Sequence, residues 1–204
     1  MTTDILHEQK ILILDFGSQY TQNIARKVRE SQVYCEIHPC TLPLDEIKAF
    51  NAKGIILSGG PASVQEKDSP LCDRKLFELG IPILGICYGM QLITHIMGGK
   101  VTPSPHGEFG RAELVLKKFS HLFEEVKSNS IVWMSHGDRI SKLPKGFRGI
   151  AFTDNSPMAA IENPLAHIYG LQFHPEVVHT VEGARILNNF LFKICQCAKN
   201  WKME

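Results

Sequence analysis

Cys87 lies at the centre of the pattern Gly85-Ile86-Cys87-Tyr88-Gly89, which directly follows an apolar run. Gly-x-nucleophile-x-Gly is typical of a nucleophile elbow, a sharp strand-to-helix turn that lifts one side chain above the edge of a sheet. The flanking glycines are expected because a β-carbon there would clash with a neighbouring strand or helix. The partial positive charge at a helix N-terminus favours a thiolate. The pentapeptide alone also fits a tight turn that holds a small apolar cysteine.

A thiolate that attacks a carbonyl group needs a base, and the base needs a group that orients it. The segment His174-Pro175-Glu176 supplies both directly after an apolar run over residues 168–173. In an extended chain residues i and i+2 point to the same face, so the Glu176 carboxylate is predicted to hold the His174 ring in one tautomer. The alternative is a strand-end histidine beside a solvated glutamate. An elbow cysteine independently requires such a pair and therefore favours the catalytic interpretation.

The segment Ser58-Gly59-Gly60-Pro61 also follows a buried strand pattern. Ligands of open α/β sheets bind outside the carboxyl ends of the strands. The backbone N–H groups of Gly60 and Tyr88 are therefore predicted to form an oxyanion hole. A phosphate-binding loop is the competing interpretation, but no Lys-Ser/Thr pair follows and no Gly-x-Gly-x-x-Gly occurs in the chain. Nucleotide binding by this domain is not expected.

These segments must be positioned by a sheet, and apolar runs that alternate with helical periodicity predict βαβ units. Strands are predicted over residues 11–14, 33–37, 54–57, 81–86, 112–116, 131–135, 149–153, 158–161 and 167–173. Helices are predicted over 18–29 with Ser18 as its cap, over 44–50, over 69–79, around 92–96 and over 181–195. Tyr20 is predicted to face the sheet, and Phe109 and Trp133 are predicted to pack. The result is one α/β domain over residues 1–204, an open, mostly parallel (mixed) twisted sheet flanked by helices.

Composition excludes several classes of protein. The chain has 204 residues, 44% of them hydrophobic, and 22 basic against 21 acidic side chains, which argues against disorder and against nucleic-acid binding. No apolar stretch is long enough to span a membrane, and Met1-Thr2-Thr3-Asp4 lacks a secretory signal, so a cytoplasmic protein is expected. No metal site is predicted, because the six cysteines form no Cys-x-x-Cys pair and His174 and His179 lack the i, i+4 spacing of a helical zinc pair.

The motifs taken together resemble a known family. Three segments are similar to class I (triad-type) glutamine amidotransferases: residues 85–91 (GICYGMQ), 58–61 (SGGP) and 172–177 (QFHPEV). Residues 14–20 (LDFGSQY) and 132–138 (VWMSHGD) further resemble the amidotransferase domains of the GMP synthase family, as do residues 108–110 and 179–180. The resemblance spans essentially the whole chain, with the motifs in the family's order.

The resemblance implies roles for individual residues. Cys87 would be the nucleophile, His174 the general base and acid, and Glu176 the group that orients the histidine. Gly60 and Tyr88 would provide the oxyanion hole. The glutamine substrate would be held by Gln91 and by a loop that contains Ser135, Gly137 and Asp138.

The same resemblance implies a reaction and partners. The reaction would be hydrolysis of L-glutamine to glutamate and ammonia through a cysteine thioester, with the ammonia used for ATP-dependent amination of XMP to GMP. The partner needed for that second step would be an ATP-pyrophosphatase (synthetase) domain or subunit. No cofactor is expected in this domain, and ATP and Mg²⁺ are expected only in the partner.

The sequence departs from the family pattern in one respect and leaves two alternative functions possible. Within these 204 residues the Ser-Gly-Gly-Val-Asp-Ser loop of the ATP-pyrophosphatase module does not occur, and no segment resembles the dimerisation domain. The chain is therefore expected to be one domain of a longer enzyme or a separate subunit. One rival is another cysteine-triad hydrolase, such as a γ-glutamyl peptidase. The other is a non-catalytic regulatory module on the same fold.

Overall fold

The computed structural model describes residues 9–202, so the N-terminal segment over residues 1–4 considered above lies outside the described part. Nine strands form one mixed sheet: β1 (Lys10–Asp15), β2 (Tyr34–Pro39), β3 (Gly54–Leu57), β4 (Ile83–Ile86), β5 (Lys100–Leu116), β6 (Ser130–Lys142), β7 (Arg148–Phe152), β8 (Ala160–Asn163) and β9 (Ile168–Leu171). Four α-helices accompany it: α1 (Thr21–Glu30), α2 (Leu44–Phe50), α3 (Tyr88–Ile96) and α4 (Gly183–Asn188).

The order of strands across the sheet is β2-β1-β3-β4-β9-β8-β7-β5-β6. The five strands from β2 to β9 pair in parallel, and the remaining four continue the sheet in antiparallel fashion. This arrangement confirms the mostly parallel, mixed α/β sheet predicted from the sequence. It also brings the carboxyl ends of β3, β4 and β9, which carry the three predicted motifs, side by side.

The apolar strands are buried on both faces, as parallel sheets require. Ile11 and Ile13 of β1 belong to a core that includes residues of α1 and α4, whereas Leu12 and Leu14 belong to a second core with residues of α2 and α3. All four side chains are fully buried. Two cores, one on each side of the sheet, therefore fix the strands whose ends carry the candidate site.

The helices differ from the sequence predictions in three places. Residues 69–79 form only a 3-10 helix over Arg74–Glu78, which the side chain of Asp73 caps by accepting a hydrogen bond from the Lys75 N–H. The helix predicted over 181–195 is α4 followed by a π-helix over Asn189–Ile194. Helix α1 begins at Thr21 without a side-chain cap, since Ser18 Oγ accepts its hydrogen bond from the Tyr20 N–H, ahead of the helix.

The long hairpin of β5 and β6 was predicted only as two short strands. Its register shifts between Pro103 and Glu108, and Glu108 pairs with His136 across the strands. Pro103 lacks an N–H group and cannot donate to a regular ladder. Residues 135–138, expected to form a loop, lie within β6 and face this irregular part of β5. No helix among residues 9–202 has the length and apolar character needed to cross a membrane.

Candidate active site

Cys87 occupies the turn between β4 and α3, in a backbone conformation that few L-residues adopt. Its φ of 52° and ψ of −106° are those of a strained residue at the helix N-cap. The Cys87 N–H donates a 2.7 Å hydrogen bond to the Leu171 carbonyl at the end of β9. The turn is thus tied directly to the neighbouring strand, which leads to His174.

The two glycines of the elbow are required by close backbone contacts, which confirms the prediction. A β-carbon on Gly85 would lie 2.6 Å from the Gly89 carbonyl carbon, and one on Gly89 would lie 2.5 Å from the Leu57 carbonyl oxygen. Contacts below 3.0 Å to backbone atoms cannot be relieved by turning a side chain. Strand β4, helix α3 and strand β3 therefore approach one another as closely as their main chains allow.

The predicted oxyanion donors lie beside Cys87. Tyr88 is the first residue of α3, so its N–H has no acceptor within the helix. The Tyr88 ring is buried, and its hydroxyl donates a 2.6 Å hydrogen bond to the Pro70 carbonyl. The backbone of Gly60 lies close to the Phe16 carbonyl oxygen, since a β-carbon on Gly60 would be 2.5 Å from that oxygen. Both backbones line the same pocket as Cys87.

His174 and Glu176 form a buried pair. Their Nδ1 and Oε1 atoms lie 2.8 Å apart, and the side chain of Glu176 is fully buried. The other carboxylate oxygen, Oε2, makes no hydrogen bond within the described part of the chain. The contact forms as predicted but for a different structural reason, because β9 ends at Leu171 and both residues lie beyond it, with Glu176 in a turn.

The backbone of His174 is anchored to strand β6. Its N–H donates a 3.0 Å hydrogen bond to the Trp133 carbonyl, and the Trp133 N–H donates at 3.0 Å to Thr180 Oγ1. The Thr180 hydroxyl donates in turn to the carbonyl of His174. Both backbone polar groups of the histidine are therefore satisfied by partners on neighbouring segments.

The imidazole of His174 faces Cys87. A β-carbon built on Gly59 would lie 3.1 Å from His174 Cε1 and 3.6 Å from Cys87 Cβ, so the two side chains meet over this glycine. Burial lowers the pKa of His174, but its hydrogen bonds with Cys87 and Glu176 and the negative charge of these partners outweigh burial and raise the pKa to about 10. The ring of His174 thus lies between a sulfur and a carboxylate.

A pocket of about 630 Å³ opens above these groups. It contains every predicted site residue except Glu176, which lies behind the His174 ring. The shared lining comprises Gly60, Cys87, Tyr88, Gln91, Ser135, Gly137, Asp138 and His174. Residues from four separate stretches of sequence thus meet at one edge of the sheet.

The predicted substrate contacts are connected by hydrogen bonds. Gln91 is buried in α3, and its Nε2 lies 3.1 Å from the Asp138 carbonyl oxygen and 3.2 Å from Gln172 Oε1. Cys87 Sγ lies 3.6 Å from the Ser135 carbonyl oxygen. These contacts place the β6 segment directly over the cysteine, and its backbone, not a flexible loop, forms that wall of the pocket.

Three residues at the site were not predicted to be there. Tyr20 does not face the sheet but packs edge-on against His174, with ring centroids 5.2 Å apart. Phe109 does not pack in a core, since it is 72% exposed at the pocket. Gln172 Nε2 lies 3.8 Å from Cys87 Sγ. All three belong to segments that resemble the family: Tyr20 to residues 14–20, Phe109 to residues 108–110 and Gln172 to residues 172–177.

The remaining side chains that could bind a metal or react as thiols lie outside the proposed triad. Within residues 9–202, no group of three or more His, Cys, Asp or Glu side chains is arranged to hold a metal ion. The five other cysteines have raised pKa values because burial disfavours their charged forms: Cys35 to about 11, Cys72 to about 12, Cys197 to about 11, Cys195 well above its ordinary value, and Cys40 above its ordinary value. These thiols lie outside the pocket that contains Cys87.

The fold and the elbow together define an α/β protein whose candidate nucleophile lies on a strand–helix turn. The family model described as glutamine amidotransferase class-I matches residues 12–194. The chain belongs to the class-I glutamine amidotransferase family.

Individual relatives agree with this assignment. GMP synthase (glutamine-hydrolyzing) of Brachyspira hyodysenteriae is 56% identical over 194 residues, which cover 95% of this chain and 38% of that protein. The protein of the same name from Wolinella succinogenes is 56% identical over 204 residues, covering 98% of this chain and 39% of the relative. The chain therefore spans less than two-fifths of the length of these curated relatives.

Solved structures share the fold. A crystal structure from Thermoplasma acidophilum, provisionally assigned to one subunit of GMP synthase, is 32% identical, with a TM-score of 0.85 over 93% of this chain and 95% of that chain. A glutamine amidotransferase from Thermotoga maritima has the same fold at 22% identity, with a TM-score of 0.69 over 92% of this chain and 83% of that chain.

Proposed function

We propose that this chain hydrolyses L-glutamine to glutamate and ammonia through a thioester on Cys87. One observation carries the proposal: the ring of His174 lies between Cys87 and the Glu176 carboxylate at the floor of an open pocket. A sulfur, a base and an orienting acid in this order are the parts that nucleophilic catalysis requires. The positions of these three groups support the chemistry, and membership of the family indicates the class of substrate.

The first half of the reaction cleaves the amide. The Cys87 thiolate attacks the side-chain carbonyl carbon of glutamine, a C–S bond forms, and the carbonyl oxygen becomes an oxyanion. The N–H groups of Gly60 and Tyr88 stabilise that charge, a contribution typically worth a factor of roughly 100 to 1,000 in rate for each donor. The His174 imidazolium gives its proton to the nitrogen, the C–N bond breaks, and ammonia leaves a γ-glutamyl thioester.

The second half regenerates the enzyme. Neutral His174 takes a proton from water, and the resulting hydroxide attacks the thioester carbon. The C–S bond then breaks, releasing glutamate and restoring the thiolate–imidazolium pair. Glu176 keeps Nδ1 protonated throughout, so that Nε2 is the nitrogen that exchanges protons with Cys87, the substrate and water.

Recognition of glutamine is assigned to Gln91, Ser135, Gly137 and Asp138. The proposal rests on their positions around one pocket, with Gln91 and Asp138 joined by a direct hydrogen bond. Gly137 has open space around it, since a β-carbon there would meet no atom within 4 Å. Its backbone is accordingly free to approach the α-carboxylate or α-amino group of a bound substrate.

Replacing the nucleophile tests the proposed chemistry. Cys87→Ala is expected to abolish glutamine hydrolysis and the mass adduct formed by a glutamine-analogue electrophile, while the circular dichroism spectrum stays unchanged. Cys35→Ala is the matched control, because Cys35 is also buried but lies on β2, away from the pocket. It should keep both activities. Glutamine turnover that survives in Cys87→Ala would refute the assignment.

We further propose that the ammonia serves ATP-dependent amination of XMP to GMP by an ATP-pyrophosphatase (synthetase) domain or subunit. The support is the name of the curated relatives, GMP synthase (glutamine-hydrolyzing), of which this chain matches 38% and 39% in the two cases above. The chain itself needs no cofactor for glutamine hydrolysis, whereas the partner would bind ATP and Mg²⁺. The proposed setting is the cytoplasm, with neither nucleic acid nor a membrane as partner.

Reconstitution tests this second proposal. The synthetase domain of a curated relative, added with ATP, Mg²⁺ and XMP, is expected to stimulate glutamine hydrolysis and to yield GMP from glutamine. Omitting XMP is the matched control. A γ-glutamyl peptidase would instead cleave γ-glutamyl peptides with little turnover of free glutamine and no response to the synthetase domain.

A further inference from the structure

A cluster of four buried polar side chains borders the pocket, which His136 of this cluster also lines, and none of them is part of the proposed chemistry. Glu108, His136, Thr153 and Ser156 are each at most 7% exposed. Glu108 and His136 face each other across the hairpin, at the end of its register shift. Burial of a carboxylate is costly unless hydrogen bonds and a cation compensate for it.

The hydrogen bonds of the cluster have defined directions. Thr153 Oγ1 donates to Glu108 at 2.9 Å, and Ser156 Oγ donates to Glu108 Oε2 at 2.7 Å. His136 Nε2 lies 3.2 Å from the same serine hydroxyl oxygen. Glu108 Oε2 also lies 3.4 Å from that nitrogen. Burial raises the pKa of Glu108, but its hydrogen bonds with His136, Ser156 and Thr153 outweigh burial and lower it.

The other ring nitrogen of His136 connects this cluster to the site. Nδ1 lies 2.8 Å from the Asp138 carbonyl oxygen, which also accepts from Gln91 Nε2 at 3.1 Å. Gln91 Nε2 uses its second proton on Gln172 Oε1. Two of the proposed glutamine contacts, Gln91 and Asp138, are therefore oriented by one carbonyl whose direction His136 sets.

We propose that the buried Glu108–His136 pair is a positioning device for the glutamine pocket, acting through the Asp138 carbonyl on Gln91 and on the β6 wall. This inference rests on the proposed glutaminase function and extends it to residues that take no part in the proposed chemistry. With the Asp138 carbonyl held by both donors, the Gln91 amide presents only its oxygen to the pocket. Loss of the pair frees the carbonyl to rotate and lets the Gln91 amide turn with it.

A purely structural role makes a different prediction. A buried pair that only stabilises the hairpin would change the melting temperature without changing the kinetics. The chain offers a matched control in Glu162, which is 2% exposed and is bonded to Arg148 at 2.6 Å and to Ser120 at 2.6 Å. Glu162 is thus a second buried carboxylate that accepts from a serine, and it does not line the pocket.

The test compares two electrophiles on the full chain: a glutamine analogue, which must occupy the pocket, and iodoacetamide, which needs only the thiolate. Glu108→Gln is expected to slow Cys87 labelling by the analogue by roughly tenfold or more, since misplacement of binding groups by about 1 Å can cost 100-fold. Iodoacetamide labelling should stay near the wild-type rate. KM for glutamine should rise by a similar factor, with kcat little changed.

Ser156→Ala is the second variant and carries the test if Glu108→Gln does not fold, because it removes only one hydroxyl from the same network. Glu162→Gln should leave both labelling rates unchanged even where its melting temperature falls. Equal analogue labelling in wild type, Glu108→Gln and Ser156→Ala would overturn the inference, as would a parallel loss of iodoacetamide labelling. Failure of the wild-type chain to hydrolyse glutamine would count against the proposed function instead.

Discussion

The hydroxyl of Thr180 donates a 2.6 Å hydrogen bond to the backbone carbonyl of His174. The same oxygen accepts from the Trp133 N–H at 3.0 Å, so one side chain links the turn that holds the histidine to strand β6. Both hydrogen bonds are buried or partly buried. The direction of the His174 ring toward Cys87 therefore depends on a residue six positions further along the chain.

Thr180→Val is expected to lower kcat for glutamine hydrolysis by roughly ten- to a hundredfold, because small displacements of a reacting group are amplified in rate. The buried His174 carbonyl loses its partner, which should also cost about 1–3 kcal/mol of unfolding free energy. Thr180→Ser keeps the hydroxyl and should restore kcat. Steady-state kinetics and thermal denaturation measure the two effects. Unchanged kcat in Thr180→Val would show that the link does not position the ring.

Removal of Cys87 is expected to lower the pKa of His174. Burial acts to lower this pKa, and the contact with Cys87 is among the interactions that raise it to about 10. Cys87→Ala deletes that contact but leaves the burial, so the value should move back toward the ordinary 6.5. NMR titration of labelled histidine measures the shift. Glu176→Gln should move it in the same direction, and a titration unchanged in both variants would contradict the proposed ion pair.

Gly59→Ala is expected to reduce kcat without unfolding the protein. The new methyl group would lie 3.1 Å from His174 Cε1 and 3.5 Å from Ser18 Oγ, so the ring must shift by a few tenths of an ångström. The thermal unfolding midpoint should change little because a ring at the pocket floor can move. Kinetics and the His174 NMR signals provide the measurements. Wild-type kcat combined with displaced His174 signals would argue that the ring position is not critical.

The parts of the fold that could be predicted are those where local sequence and tertiary packing agree. Strand β3 and helix α2 have the predicted bounds, Gly54–Leu57 and Leu44–Phe50. The elbow was predictable because the main chain approaches its two glycines so closely that no other residue type fits there. Here a short segment already contains the information that its three-dimensional setting requires.

Other features depended on contacts between distant segments. Tyr20 has the spacing of a sheet-facing residue, but α1 starts after it and its ring is free to pack on His174. The Glu108–His136 pair forms only through the register of a long hairpin, which no local pattern specifies. The His174–Glu176 contact was predicted correctly from strand spacing although both residues lie beyond the end of β9.

The tight approach of Gly85 and Gly89 to neighbouring backbone has one more consequence. The backbone of Cys87, from which the sulfur projects, is positioned by close main-chain contacts among β3, β4 and α3. Surrounding core residues can therefore be exchanged for others of similar volume without relocating the reactive atom. Redesign of the pocket walls for a different amide can accordingly leave the nucleophile in place. A single methyl group added at Gly85 or Gly89 would instead displace it.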